Sequence, residues 1–261
     1  QASPNQSIGR LSFLPWHSHQ QDALRAEIKL RPSVAALRSM ESSPRLPSSG
    51  VAFFVVARLL TAAAPCAGVA LAAGGHHTCG LHEGSRAAVC WGWDDHGQVS
   101  GAPADVALAA LAAGYAHTCG IREDSKAAVC WGWDEFNQVT GTPAAVPLAF
   151  LAAGYGHTCG LRQGTLTPIC WGYDHSRQVS KAPTSMPLAA LTAGYEHTCG
   201  LREDSRTAIC WGDSSPMPGP AAVIPMGIID ACYQHTCGLV EDSWVPVCWG
   251  WDDGSQVMGP W

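Results

Sequence analysis

The tetrapeptide His-Thr-Cys-Gly begins at residues 77, 117, 157, 197 and 235, and the tripeptide Cys-Trp-Gly begins at 90, 130, 170, 210 and 248. A spacing of 40 residues, shortened once to 38, constrains such a chain more than any other feature. Each unit is one small element whose apolar faces are covered by its neighbours, so the fold must arise by stacking units rather than around one irregular core. A full unit reads roughly Leu-Ala-Ala-Gly-Tyr-Xaa-His-Thr-Cys-Gly-Leu-Arg-Glu-Asp-Ser, then four residues, Cys-Trp-Gly-Trp-Asp, a polar stretch, Gln-Val and a link containing proline. Five units fill most of residues 69–261 and set a boundary near residue 68.

Within a unit the apolar pattern has period two. His117, Cys119 and Ile121 alternate with Thr118 and Gly120, and Ala128 and Cys130 alternate with Val129 and Trp131, which predicts two short strands. The cysteines are eleven apart, so a tight turn centred on Asp124 and Ser125 sets Cys119 directly opposite Cys130. Gly84-Ser85, Gly164-Thr165, Asp204-Ser205 and Asp242-Ser243 mark the same turn in the other units, all of them turn-forming pairs. The run before each Gly-Tyr, such as Val106 to Ala113, is rich in Ala and Leu and has helical propensity. Bounded by Pro103 and Gly114 it is short for a helix, and it reads better as a third strand whose small side chains suit a crowded inner position. Forty residues then supply three or four strands with their turns, the content of one blade of an all-β propeller.

Gly-Tyr-Ala-His-Thr-Cys-Gly-Ile at 114–121, followed by Val-Cys-Trp-Gly-Trp-Asp-Glu-Phe-Asn-Gln-Val at 129–139, resembles the regulator-of-chromosome-condensation repeat, whose pattern is Ala-Ala-Gly-Xaa-Xaa-His-Thr, then Trp-Gly, then Gly-Gln-Leu-Gly. The cysteine-bearing version is most similar to extracytoplasmic members, such as bacterial surface repeats, the ectodomains of crinkly-type plant receptor kinases and repeat proteins of unicellular algae. The resemblance implies a β-propeller of about 40-residue blades, five of them clear, with a sixth, degenerate blade in reserve. Trp-Asp pairs at 93–94, 133–134 and 251–252 stand too near the Gly-His signature for the Trp-Asp propeller repeat. Plant ultraviolet-B photoreceptors carry Gly-Trp-Arg-His-Thr where this chain has Gly75, Tyr115, Tyr155, Tyr195 and Tyr233, which argues against light sensing. Closure stays open between five blades, six blades using 25–68 and Gln256 to Trp261, and an arc finished by another chain.

Opposed cysteines on paired strands fall within disulfide reach where the local geometry suits. The expected bonds are Cys79–Cys90, Cys119–Cys130, Cys159–Cys170, Cys199–Cys210 and Cys237–Cys248, each closing a loop of about twelve residues and contributing roughly 3 kcal/mol in the chain-entropy view. A competing reading takes His117, Cys119 and Cys130 as zinc-type ligands. It is weaker, because no fourth ligand recurs and five equivalent sites would be odd, so no metal is expected. The recurring histidine then reads as structural, bridging backbone groups of adjacent turns. Cys66 and Cys232 are left over, and a bond between them would clasp the first and last blades.

Charged residues make up only 14% of the chain, and the net charge is −6. Residues 1–50 hold six basic and three acidic side chains, leaving nine basic against eighteen acidic in the remainder. The acidic repeats exclude a phosphate-tracking surface, so no nucleic acid is expected as a partner. Val51 to Ala73 is nearly all apolar, yet Pro65 and the onset of the repeat leave about fifteen residues, short of a membrane span. Residues 1–68 therefore read either as a basic, Ser-rich leader of the targeting type or as a decayed blade, and the chain is a fragment or a processed product.

No phosphate-cradling loop, nucleophile elbow or paired-carboxylate motif appears, and five identical histidines behave as structure rather than as one catalytic centre. The expectation is a non-catalytic module without cofactor that binds another protein or serves as a subunit of a larger assembly. A carbohydrate-binding propeller is the alternative, and nucleotide exchange of the family's nuclear type is disfavoured. The units differ before the histidine (His76, Ala116, Gly156, Glu196, Gln234) and after Trp-Gly. Trp91, Trp131, Trp171, Trp211 and Trp249 are expected in the core, with Trp93, Trp133, Phe136 and Trp251 as the candidate binding surface. The paired cysteines place the protein outside the cytoplasm, either secreted or in an organelle lumen such as that of a plastid.

Overall fold

In the computed structural model of the 261-residue chain, residues 71–213, 219–253 and 257 are described. They form five antiparallel three-stranded sheets, one per repeat. Blade 1 comprises β1 (Leu71–Ala73), β2 (His77–Leu81) and β3 (Ala88–Gly92), and blade 2 comprises β4 (Leu108–Ala113), β5 (His117–Arg122) and β6 (Ala128–Gly132). Blade 3 holds β7 (Leu148–Ala153), β8 (His157–Arg162) and β9 (Pro168–Gly172), and blade 4 holds β10 (Leu188–Ala193), β11 (His197–Arg202) and β12 (Ala208–Gly212). Blade 5 is β13 (Met226–Cys232), β14 (His235–Val240) and β15 (Pro246–Gly250). Among the described residues each unit thus has three strands, and the Ala-rich runs are strands, not helices.

The register follows from the turn. Cys119 pairs with Cys130 across β5 and β6, and the same opposition recurs in every blade. Five disulfides result: Cys79–Cys90, Cys119–Cys130, Cys159–Cys170, Cys199–Cys210 and Cys237–Cys248, with Cα–Cα separations of 4.0–4.1 Å. Their sulfurs are bonded to one another and offer no thiolates to a metal. Cys232 is a free, exposed thiol, while Cys66, the other end of the expected clasp, lies outside the described residues, as does the leader.

Blades stack in sequence order, with β1, β4, β7, β10 and β13 packed side by side. Leu148, Leu151 and Trp171 on the leading face of blade 3 press on Ala112, Cys119, Ile121 and Ala128 on the trailing face of blade 2. The other junctions repeat this arrangement. Each fully covered Leu is worth roughly 1.5–3 kcal/mol of transfer free energy. The tryptophan of Cys-Trp-Gly also donates its indole N–H backwards, from Trp131, Trp171 and Trp211 to the carbonyls of Gln98, Gln138 and Gln178 at 3.1, 3.0 and 3.0 Å. Trp91 departs from the core expectation. It is 53% exposed where Trp131 is 4% exposed, because no described blade precedes it. In the shortened fourth unit the Gln-Val turn is missing and a 3-10 turn, Gly219–Ala222, takes its place. Trp249 stays buried there, with an indole N–H that lacks a hydrogen-bond partner among the described residues.

Near the axis the blades meet backbone to backbone. A Cβ on Gly74, Gly114 or Gly154 would collide with the carbonyl oxygen of Gly114, Gly154 or Gly194 in the next blade and with the blade's own repeat histidine. Those histidines bridge the junctions. His77 Nε2 lies 2.6 Å from Thr118 Oγ1, His117 is 2.9 Å from Thr158, His157 is 2.8 Å from Thr198 and His197 is 2.9 Å from Thr236. The expected bridge therefore exists, but its acceptor or donor is a threonine hydroxyl of the next blade rather than a backbone group. Burial, then the neighbouring imidazoles of His117 and His197, push His157 down to about 3. Burial first, and His77 second, push His117 down to about 4, and burial first likewise sets His197 at about 4.

Three outcomes follow from this packing. Non-reducing peptide mapping should recover the five disulfides as linked pairs, one per blade. Gly154→Ala should lower the melting temperature by several degrees, since overpacking against backbone costs about 1–3 kcal/mol, whereas Cys232→Ala should leave it nearly unchanged. Acid should also destabilise the fold. These histidines are neutral when folded and titrate near 6.5 when unfolded, so the unfolded chain binds more protons below that pH. Stability is complete above about 6.5 and declines toward 4, by on the order of 2 kcal/mol per fully buried histidine at pH 5. Thermal melts between pH 7 and 5 should show the decline, and His157→Gln should flatten it.

Candidate functional site

The last strand of each blade ends on the glycine of Cys-Trp-Gly. Gly132 has φ +102°, and a Cβ there would lie 2.6 Å from the Ala116 carbonyl oxygen, so the chain turns sharply against the loop that precedes β5. A backbone hydrogen bond then fastens the two loops: Trp93 N to His76 O, Trp133 N to Ala116 O, Tyr173 N to Gly156 O, Asp213 N to Glu196 O and Trp251 N to Gln234 O, all 2.8–3.0 Å. The two positions at which the repeats differ are thereby brought together in every blade, at the same end of the propeller.

The loop after Trp-Gly is shaped by its own polar side chains. Asp94 Oδ1 accepts from the backbone N–H groups of Val99 and Ser100 at 2.7 and 2.9 Å, and Gln98 Oε1 accepts from His96 N at 3.0 Å. Asp134 with Gln138 and Asp174 with Gln178 do the same in the next two blades. The bonds from Ser100 and then Val99 hold the Asp94 carboxyl below the usual carboxylate range. Asp and Gln thus serve as the loop's frame, and the residues between them are free to vary.

On this frame aromatic rings touch from blade to blade. Tyr115, Tyr155, Tyr195 and Tyr233 form an inner arc with successive ring centroids 4.9, 4.1 and 5.1 Å apart. An outer row runs from Trp93 through His96 to Trp133, then to Phe136 and Tyr173, at 4.5–5.9 Å. The rows are joined by Trp133 on Tyr155 at 5.6 Å and by His76, which lies against both Trp93 and Tyr115. The arc surrounds a central depression of about 290 Å³, floored by the Ala and Gly residues that end the inner strands of all five blades. Burial, then a hydrogen bond with Tyr155, pushes the Tyr195 phenol up to about 12, so it stays a neutral hydroxyl.

The family model of the regulator of chromosome condensation (RCC1) repeat matches residues 109–138, which span β4 to the Gln-Val turn of blade 2. Among solved structures, the entire ectodomain of the Physcomitrella patens receptor kinase CR4 is 30% identical, with a TM-score of 0.61 over 81% of this chain and 54% of that one. The CRINKLY WD40 ectodomain of the Arabidopsis thaliana receptor kinase ACR4 is 29% identical, with a TM-score of 0.61 over 69% and 64% of the two chains. Saccharomyces cerevisiae Prp20p, 18% identical with a TM-score of 0.57 over 72% and 58%, shares the fold. No curated protein matches the sequence. The blades are RCC1-like propeller repeats. The chain spans 54–64% of the length of the two ectodomain structures.

In this RCC1-like propeller three of the four surface candidates, Trp93, Trp133 and Phe136, belong to one connected ring network. Trp251 holds the equivalent place in blade 5 and is exposed. Blade 4 has Asp213 at this position, so the outer row is interrupted there. The inner tyrosine arc is not evident from the sequence. The Gly-Tyr dipeptide recurs openly, but nothing in one unit says that four such rings converge on an axis. His76 and His96 stand out in sequence only as positions that vary between units; within blade 1 both lie against Trp93, and they join the network of the next blade through Tyr115 and Trp133.

Proposed function

We propose that the chain is a non-catalytic, protein-binding RCC1-like propeller module acting outside the cytoplasm, with residues 69–261 forming the module and residues 1–68 either a basic, Ser-rich leader or a degenerate blade. One observation carries the reading: the ring network at one end of the propeller, half-exposed and continuous across blades, in which recurring Tyr and Trp positions are joined by varying ones such as His76, His96 and Phe136. Aromatic anchors held by a rigid frame bind with little loss of side-chain freedom, the usual composition of a hot spot. The five disulfides support an oxidising compartment, and the likeness to two receptor-kinase ectodomains supports the same setting. Binding would centre on Trp133 and Phe136, flanked by Trp93, with Trp251 extending the surface at blade 5.

Affinity capture from the native source with the intact chain should retain a specific protein partner. The Trp133→Ala/Phe136→Ala variant, its folding verified by thermal melting, should lose that partner by tenfold or more, on the order of 2 kcal/mol for removal of two anchors. Undiminished capture by the folded variant would overturn the reading.

A further inference from the structure

Strand direction sorts the loops of each blade to two ends, and the charges divide unequally between them. The hairpin tips between the second and third strands carry a mixture, including Arg86 paired with Glu123 at 3.3 Å and Arg122 with Asp124 at 2.9 Å. The ring-bearing end is different. Four aspartates there, Asp94, Asp134, Asp174 and Asp252, accept backbone N–H groups within their own loops. Five further carboxylates stand in the same loops: Asp95, Glu135 and Asp253, which are exposed, and the half-buried Glu196 and Asp213. Against these nine, the sequence of the same loops supplies Arg177 and Lys181 as cations.

The carboxylates lie among the rings. Glu196 follows Tyr195 in the chain, accepts from Ser176 Oγ at 2.8 Å and acts electrostatically on the phenols of both Tyr173 and Tyr195. In the chain Glu135 falls between Trp133 and Phe136, and Asp95 between Trp93 and His96, both exposed in the loops that carry those rings. Aromatic faces attract cations through their quadrupole, and nearby carboxylates add to the attraction. A surface combining the two favours Lys and Arg side chains, whose apolar stems pack on the rings while their heads meet the carboxylates.

We propose that the ring-bearing end docks a Lys- and Arg-rich segment of the partner protein. The inference rests on the protein-binding reading above and adds the partner's chemistry. The occupant is a basic peptide, since a neutral glycan would use the carboxylates only as hydrogen-bond acceptors and gain nothing from their net charge, and an acidic segment would be repelled by it. The central depression, open and floored by Ala and Gly, gives one long side chain room to enter beside the tyrosine arc.

The test uses the full chain and three fluorescein-labelled twelve-residue probes of equal aromatic content: one Lys/Arg-rich, one neutral and one Asp/Glu-rich. Fluorescence anisotropy should show saturable binding of the basic probe at least tenfold tighter than the neutral one, weakening as salt is raised, with no binding of the acidic probe. Asp95→Asn/Glu135→Gln/Asp253→Asn, which alters only exposed carboxylates, should weaken the basic probe about tenfold. Glu203→Gln/Asp204→Asn at the opposite end should leave it unchanged. Equal affinity for basic and neutral probes, or equal loss from the two charge variants, would overturn the inference. If Trp133→Ala weakens the neutral probe while the carboxylate triple has no effect on any probe, the ring surface stands and its preference for cations falls. If the basic probe binds Trp133→Ala as tightly as the unmodified chain, the ring surface itself falls.

Discussion

Neighbouring blades approach so closely at the axis that a glycine of one faces a carbonyl oxygen of the next, with no room for a Cβ between them. Beside that contact a buried imidazole reaches across to a threonine hydroxyl of the following blade. The rest of the architecture depends on this junction. The close approach sets how tightly the inner strands converge, so it demands their Ala and Gly content, and it fixes where the leading Leu and Trp meet the trailing disulfide. A neutral imidazole is needed because it is buried among others of its kind, and protonating one would place a charge beside the next. Blade 5 carries Cys232 where earlier blades carry this glycine, and there the side chain is exposed rather than trapped under another carbonyl.

With the disulfide repeated in every blade and the indole hydrogen bond in the three central ones, little of the interior is left to vary. Variation concentrates in the loops that leave Cys-Trp-Gly, where Asp and Gln close the backbone on itself and free the intervening side chains. A rigid frame with variable insertions suits recognition better than chemistry, since the frame is copied around the axis while each blade contributes a different side chain. The irregular fourth unit shows the dependence in reverse. Its missing Gln-Val turn leaves the Trp249 indole N–H without a partner among the described residues, and Asp213 in place of Trp or Tyr breaks the outer row.

The features legible in advance were those that act within one unit. The eleven-residue spacing of Cys119 and Cys130, the turn pair between them and the period-two alternation are local, and they specify a hairpin with those cysteines opposed wherever the unit is placed. The all-strand character of the unit, read as three or four strands and found as three, and the family resemblance are likewise properties of forty consecutive residues. The candidates Trp93 and Trp133 could be chosen because they recur as aromatic residues in the loop after Trp-Gly, and Phe136 because it stands where that loop varies.

Contacts between units were not legible, because a repeat states its own neighbours and not the angle at which the next copy sits. His117 meets Thr158 across 41 residues, a pairing invisible in either motif alone. Trp91 has the same sequence setting as Trp131 and the opposite exposure, since burial of that ring is supplied by the preceding blade. Four tyrosines become one arc only when their blades share an axis. Short-range stereochemistry and pairing thus follow from the residue order, whereas the axis, the depression and the anionic ring surface around it exist only in the assembled propeller, where separate loops are brought within a few ångströms of one another.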